Sequence, residues 1–145
     1  MEYPVGYLIK NISDKMKANA DANLKEHNLT LTQSRVMCFL SSRGNTAAQK
    51  DIEEFLEVSH PTVVGVVARM EQKGFITTRV DTADKRNKIV ELSGSAIKLG
   101  GEMGSMVEKY ERQMTRGLSE MQLRQLSEYL QVIYVNLGGD AGQTI

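Results

Sequence analysis

Apolar side chains recur along most of the chain at the spacing of three and four residues that places them on one face of an α-helix. This spacing predicts helices over residues 5–26, 32–42, 59–73, 94–117 and 120–137, together with a short third helix that starts near Thr46. Two runs between the fourth and fifth helices, residues 75–80 and 89–92, have the composition of strands. The fold class predicted is therefore mainly α, with a small β-hairpin.

Polar residues at the predicted helix starts support these boundaries. Thr30 and Ser119 are each followed three residues later by Gln, which is the form of a capping box. Thr46 has the same form, so the short third helix is expected to be capped there. Ser59 and Ser93 are the predicted N-caps of the fourth and fifth helices.

The connection between the two predicted strands is charged. Residues 81–88 read Asp-Thr-Ala-Asp-Lys-Arg-Asn-Lys, a composition that excludes a buried loop. Lys, Arg and Asn side chains are suited to hydrogen-bonding phosphates and base edges. A helix followed by a charged hairpin is the layout of a winged helix-turn-helix, which makes nucleic acid the leading candidate partner.

The chain ends carry apolar stripes that a small central domain cannot cover. Residues 1–28 and 94–138 are predicted to form a helical dimerisation module, because the last helix has the a/d seam of a coiled coil. Residues 29–93 would then form the winged helix-turn-helix, and the Gly-rich residues 139–145 a flexible tail. The alternative is an intramolecular three-helix bundle.

The composition of the chain argues against several classes of function. The 145 residues include 18 basic and 18 acidic ones, and this neutral balance counts mildly against a non-specific DNA binder. One cysteine, no signal peptide and no long apolar run predict a cytoplasmic protein without a membrane partner. The sequence has neither a Gly-rich phosphate loop nor a nucleophile–base set, so neither an enzyme nor a cofactor is expected. One Cys and two distant His give no metal-ligand spacing.

The second helix of a helix-turn-helix enters the major groove with its N-terminal half. The beginning of the second predicted helix is a further place where winged helices contact phosphates. The DNA contacts expected from these two positions are Ser59, His60, Pro61, Thr62, Val64, Gly65, Thr32, Gln33 and Ser34. Gly65 reads no base itself, so base reading by this helix is expected to be sparse.

Several motifs resemble the MarR family of bacterial transcription factors. They are Gln-Lys-Asp-Ile at residues 49–52, Pro-Thr-Val at 61–63, Arg-Met-Glu-Gln-Lys-Gly-Phe-Ile at 69–76, Asp-Lys-Arg at 84–86 and Val-Glu-Leu-Ser at 90–93. The resemblance implies a homodimer with two winged helix-turn-helix lobes that binds a pseudo-palindromic double-stranded DNA operator. It further implies a repressor that a small aromatic or amphipathic molecule releases from DNA.

The resemblance also assigns a role to the wing. The family arginine that matches Arg86 reaches into the minor groove, and Asp84 would hold the guanidinium; a simple hairpin salt bridge is the alternative. Lys85, Asn87 and Lys88 are weaker candidates for backbone contacts. Arg69 could contact a phosphate, brace the wing aspartates or serve only as a favourable charge near the end of its helix, and Arg79 on the strand has a similar choice of roles.

Two further expectations concern control. A lipophilic effector pocket between the helical module and the DNA-binding lobe is nominated from Met16, His27, Phe39 and Tyr110. Cys38 is predicted to be an inert thiol on a packed helix rather than a redox switch. A winged-helix module that binds another protein instead of DNA is the alternative function.

Overall fold

The computed structural model describes residues 3–140 and 142, within which six helices and three strands form. In chain order they are α1 (Val5–Glu26), α2 (Leu31–Ser42), β1 (Thr46–Ala48), α3 (Gln49–Leu56), α4 (His60–Gln72), β2 (Ile76–Val80), β3 (Lys88–Leu92), α5 (Gly94–Met114) and α6 (Glu120–Asn136). The order of elements is that of a winged helix-turn-helix, with α3 and α4 as the helix-turn-helix and the β2–β3 hairpin as the wing. The predicted fold class is confirmed.

The wing belongs to a three-stranded antiparallel sheet in the order β1-β3-β2. Thr46 lies opposite Glu91 in the β1–β3 pair, and Ile76 lies opposite Leu92 in the β2–β3 pair. The expectation that Thr46 caps a helix is therefore wrong, because residues 46–48 pair with β3 instead. The third helix begins after Ala48, which makes no side-chain capping bond.

The core of the winged helix is made by one stripe from each helix and by the inner face of the sheet. Val36 and Leu40 of α2, Ile52 of α3 and Val63 of α4 are fully buried with relative exposures of 0%. Val90 of β3 is buried to the same degree and closes the core from the sheet side. Because α4 commits this stripe to the core, its opposite face is left on the surface.

Local hydrogen bonds fix the helix ends that the sequence predicted. Thr30 Oγ1 accepts from the backbone N–H of Gln33, whose side chain accepts from the Thr30 N–H, and α6 begins with the same reciprocal pair. Ser59 Oγ accepts from the Thr62 N–H at the start of α4. Gly74 follows the end of α4, the recognition helix of the helix-turn-helix, at a φ of +77°. Glycine adopts this left-handed conformation without strain.

The chain divides into two compact units, residues 1–102 and 103–145. In the second unit, α6 contains no buried residue along its whole described length. The predicted flexible tail falls mostly outside the described residues, which omit 141 and 143–145. Of the helices in the described ranges, none is both long enough and apolar enough to span a bilayer.

Candidate nucleic-acid interface

The outward face of α4 carries the residues that were predicted to read DNA. His60, Pro61, Thr62 and Val64 are exposed, and Gly65 is half-buried. Val64 keeps 41% of its surface accessible although it is apolar, so it is available to contact another apolar group. The N-terminal half of this helix therefore offers a small, mostly uncharged surface of the kind that fits between base edges.

The first turn of α4 is organised by two hydroxyl groups. Ser59 Oγ lies 2.8 Å from Thr62 Oγ1 while it also caps the helix. The first N–H groups of any α-helix lack intrahelical partners and sit at the positive end of the helix dipole. This end of α4 is thus suited to a phosphate group.

His60 is held by an acidic residue that the sequence reading did not nominate. Its Nδ1 contacts Glu53 Oε1 of α3, and the side chain remains 67% exposed. With Nδ1 donating to the carboxylate, Nε2 of a neutral ring is an acceptor and Nε2 of a protonated ring is a donor. Glu53 thereby orients the ring, and this was invisible in sequence because the two residues belong to different helices.

The wing tip is shaped by short-range hydrogen bonds between side chains and backbone. Asp81 Oδ1 accepts from the Ala83 N–H at 3.0 Å, and Asp84 Oδ1 accepts from the Arg86 N–H at 3.1 Å. The Asp81 N–H donates to the Asn87 carbonyl at 2.9 Å, which closes the loop at its base. These contacts give a polar loop a defined conformation without any apolar anchor.

Arg86 projects from this loop with 91% of its side chain exposed. Its Nε lies 3.2 Å from Asp84 Oδ1, and its Nη2 lies 3.4 Å from Asp84 Oδ2. The guanidinium and, secondarily, the Arg86 backbone N–H hold the pKa of the Asp84 carboxyl below its usual value of 3.8. The carboxylate therefore steadies the guanidinium while leaving it in solvent.

A groove of about 250 Å³ joins the helix-turn-helix to the wing. It brings together four of the predicted residues, His60, Arg86, Asn87 and Lys88, with four that sequence reasoning missed; these are Ala48, Gln49, Lys50 and Glu53. The last three of these lie on one face of α3, so helical spacing could have identified them once α3 was assigned to the interface. Helix and wing thus meet around one cation-rich surface.

The start of α2 differs from expectation. Gln33 is only 3% exposed, and its Oε1 accepts from Lys73 Nζ at 2.9 Å as well as from the Thr30 N–H. A side chain committed in this way is not available to DNA. Thr32 is exposed, whereas Ser34 is half-buried and donates to the Leu31 carbonyl at 2.9 Å.

The remaining predicted cations lie apart from the groove. Arg69 and Arg79 are both exposed, the first near the end of α4 and the second on β2. Asp81 and Asp84 bond within the wing loop, and in the ranges that the structure describes neither carboxylate accepts a hydrogen bond from the Arg69 side chain. Bracing of the wing aspartates by Arg69 is therefore not observed. Lys85 is exposed beside Arg86.

The residues nominated for an effector pocket are distributed over both units. Met16 is 40% exposed, and Phe39 stacks on Phe55 with ring centroids 4.5 Å apart. His27 Nε2 is buried without a hydrogen-bond partner among the described residues, and Tyr110 is half-buried in the second unit. Cys38 is exposed, although its helix packs through Val36, Met37 and Leu40, and the inertness of its thiol stays a prediction.

The part of the chain that the structure describes contains no group of side chains that could bind a metal ion. Within residues 3–140 and 142, no three His, Cys, Asp or Glu side chains gather closely enough to hold a metal ion.

Comparison with known proteins agrees with the site. Residues 27–87 match the model of the MarR family. The chain is similar to MepR, a transcription regulator of the Staphylococcus aureus multidrug efflux pump MepA, with 29% identity, a TM-score of 0.80, and coverage of 93% of this chain and 99% of that one.

Two similar structures contain nucleic acid. One is the S. aureus MepR–DNA complex, with 30% identity, a TM-score of 0.79, and coverage of 91% of this chain and 98% of that one. The other is an S. aureus MepR mutant bound to an oligodeoxyribonucleotide, with 30% identity, a TM-score of 0.75, and coverage of 94% and 99%. The chain therefore belongs to the MarR family of non-enzymatic, DNA-binding transcription regulators.

Proposed function

We propose that this protein is a homodimer that binds a pseudo-palindromic operator through two winged helices and acts as a repressor in the cytoplasm. The observation that carries the proposal is the groove that joins the exposed start of α4 to the base of the wing. One rigid lobe thereby offers a helix for the major groove and an arginine for the adjacent minor groove.

The helix contributes contacts that suit thymine and phosphate. The methyl groups of Val64 and Thr62 match the thymine C5-methyl, and the Ser59-capped turn suits a phosphate oxygen. His60, oriented by Glu53, adds one polar contact to a base edge or a phosphate. Because these side chains are short, the contacts position the helix on DNA but distinguish few bases.

The wing contributes the strongest single electrostatic contact. A narrow minor groove concentrates negative potential and favours an inserted arginine over a surface lysine. Arg86 is exposed, and the Asp84 carboxylate limits its conformations before binding, so less ordering entropy is lost on DNA. Lys85 and Lys88 flank it and are proposed to contact the phosphate backbone.

Dimerisation is proposed to use residues 1–28 and 94–138. Within the single chain α6 leaves Leu126, Leu130 and Val135 exposed, and α1 leaves Leu8 and Ile12 exposed. Apolar helix faces of this extent mark protein–protein contact surfaces. A two-fold dimer of such lobes requires two half-sites, which is why a pseudo-palindromic operator is expected.

Control by a small lipophilic molecule is proposed on two grounds. MepR, to which this chain is similar, regulates a multidrug efflux pump, and Phe39, Met16, His27 and Tyr110 supply apolar and polar groups of the kind that line ligand pockets. Such a ligand would release DNA only by binding one arrangement of the dimer more tightly than the other.

The test is selection of bound duplexes from a random DNA pool, followed by gel-shift titration of the enriched sequence at fixed salt. Arg86→Ala is expected to weaken binding by roughly 5- to 150-fold, since removing an arginine–base contact costs roughly 1–3 kcal/mol. Lys85→Ala, the matched control, should weaken binding less. Absence of any enriched sequence would favour the alternative function, a winged-helix module that binds protein, which the zero net charge permits.

A further inference from the structure

The outward face of α4 has short side chains where a reading helix usually carries long polar ones. After His60, the outward positions of the first turns are Pro61, Thr62, Val64, Gly65 and Ala68. Of these only Thr62 has a hydrogen-bonding side chain, and its hydroxyl lies 2.8 Å from Ser59 Oγ. The sequence of α4 contains a single cation, Arg69. Arg69 is therefore the one side chain of α4 with the paired donors that match guanine O6 and N7 together.

The Arg69 side chain folds back along the helix and lies over Gly65. A Cβ placed on Gly65 would be 3.5 Å from Arg69 Nη2, 3.8 Å from Nη1 and 3.9 Å from Cζ. Long side chains on an α-helix cover the turn that precedes them, which explains why residue 69 reaches residue 65. The guanidinium therefore occupies the place that a side chain at position 65 would fill.

The Arg69 guanidinium is exposed and forms no ion pair among the described residues. Within residues 3–140 and 142, no carboxylate forms an ion pair with it. The neighbouring Glu71 instead accepts a hydrogen bond from Thr78 Oγ1 of β2 at 2.9 Å. Arg69 thus contributes little to holding the fold, and its planar donors face outward from the middle of the recognition helix.

We propose that Arg69 is the specificity-determining residue of the recognition helix and that it hydrogen-bonds the O6 and N7 atoms of one guanine in each half-site. The inference rests on the proposed DNA-binding function and assigns a base to it. Gly65 is a positioning residue in this scheme, because its missing side chain lets the guanidinium approach the base edges from the centre of the helix.

A protein–DNA double-mutant cycle tests the assignment. Binding of wild-type protein and Arg69→Ala is measured for the selected duplex and for duplexes in which each guanine pair of a half-site is replaced in turn. The wild-type protein should prefer one guanine by roughly 5- to 150-fold, and Arg69→Ala should lose that preference alone. Equal weakening on all duplexes, or no change on any of them, would overturn the proposal.

Substitutions at Gly65 test the geometry with the charge of Arg69 retained. Gly65→Ala places a methyl at ordinary van der Waals distance from the guanidinium and should keep the guanine preference. Gly65→Leu fills the site of the guanidinium and should abolish it; a guanine preference that survives in Gly65→Leu would contradict the assignment. If the wild-type protein enriches no sequence, the proposed function fails, whereas enriched sequences that Arg69→Ala leaves unaltered overturn this inference alone.

Discussion

The winged-helix lobe buries its large apolar side chains, whereas α6 leaves its own exposed. In the lobe, Leu40 and Ile52 are both 0% exposed, and the core closes within one chain. In α6, Tyr129 is 63% exposed, and Leu137, which follows the helix as its C-cap, is 84% exposed. The lobe therefore has the burial expected of a self-sufficient folding unit, whereas α6 keeps the exposed apolar surface on which the proposed dimer contact rests.

The first helix resembles α6 in this respect. Of the 22 residues of α1 only Leu24 is buried, and Leu8, Ile12 and Met16 remain exposed along it. The surface proposed to read DNA and the apolar surface proposed for association thus lie on different parts of this chain. Substitutions can consequently perturb one of them and spare the other.

Leu130→Glu in α6 is expected to disrupt association most strongly. Leu130 is 44% exposed in the single chain, and a charge there would be trapped without a partner in an apolar interface. Such an uncompensated charge costs about 3–5 kcal/mol, so the dimer dissociation constant should rise at least about a hundredfold. Sedimentation velocity over a concentration series measures this change.

The neighbouring substitution Gln131→Glu adds the same charge at an exposed polar position of the same helix. It should leave the dissociation constant within a few-fold of wild type. If Leu130→Glu also sediments as wild type, the a/d face of α6 is not the association surface.

Leu40→Ala should destabilise the lobe without altering association. Leu40 is 0% exposed, and truncation of a fully buried leucine costs about 2–5 kcal/mol through lost burial and the cavity left behind. Leu31→Ala, in the same helix at 60% exposure, should change the free energy of unfolding by less than about 0.5 kcal/mol. Urea denaturation followed by circular dichroism measures both, and equal effects would contradict the described core.

Lys73→Met tests the tie between the end of the recognition helix and the α1–α2 turn. Lys73 Nζ donates to the Asn28 carbonyl at 2.8 Å and to Gln33 Oε1 at 2.9 Å. Loss of hydrogen bonds to a charged donor should lower the free energy of unfolding by about 1–3 kcal/mol. Lys98→Met, at an exposed position of α5, is the control and should be neutral within about 0.5 kcal/mol.

Titration of Asp84 tests the wing with the smallest energetic change. Its pKa is lowered from 3.8, so the contact with Arg86 contributes fully above that pH and is lost as pH falls through the lower folded value. In Arg86→Ala the pKa should move back towards 3.8, though not completely, because the backbone N–H of residue 86 still donates. Carboxyl-detected NMR measures the shift; a wild-type pKa at or above 3.8, or an equal change in Lys85→Ala, would remove Arg86 as its cause.

Much of the fold follows from local sequence rules. The bounds of α1, the Thr30 and Ser119 capping boxes and the Ser59 cap were predictable because each depends on residues within a turn of one another. The turn at Gly74 was predictable for the same reason. The charged composition between residues 80 and 88 was sufficient to place the wing.

What the sequence did not reveal depends on contacts between distant segments. Thr46 satisfies a capping pattern, but pairing with Glu91 of β3 makes it a strand residue. Gln33 was expected at the surface, and the Lys73 ammonium, forty positions away, draws it into the interior. The contact between His60 and Glu53 likewise depends on how α3 and α4 pack, which spacing within a single helix cannot give.

Sedimentation velocity of the protein with the duplex selected from the random pool addresses the paired-lobe arrangement directly. Two copies of the 16.2 kDa chain are expected to sediment together without DNA and to bind one duplex as a pair with two half-sites. A single 16.2 kDa chain at micromolar concentration that shows no preference among duplexes would contradict the account.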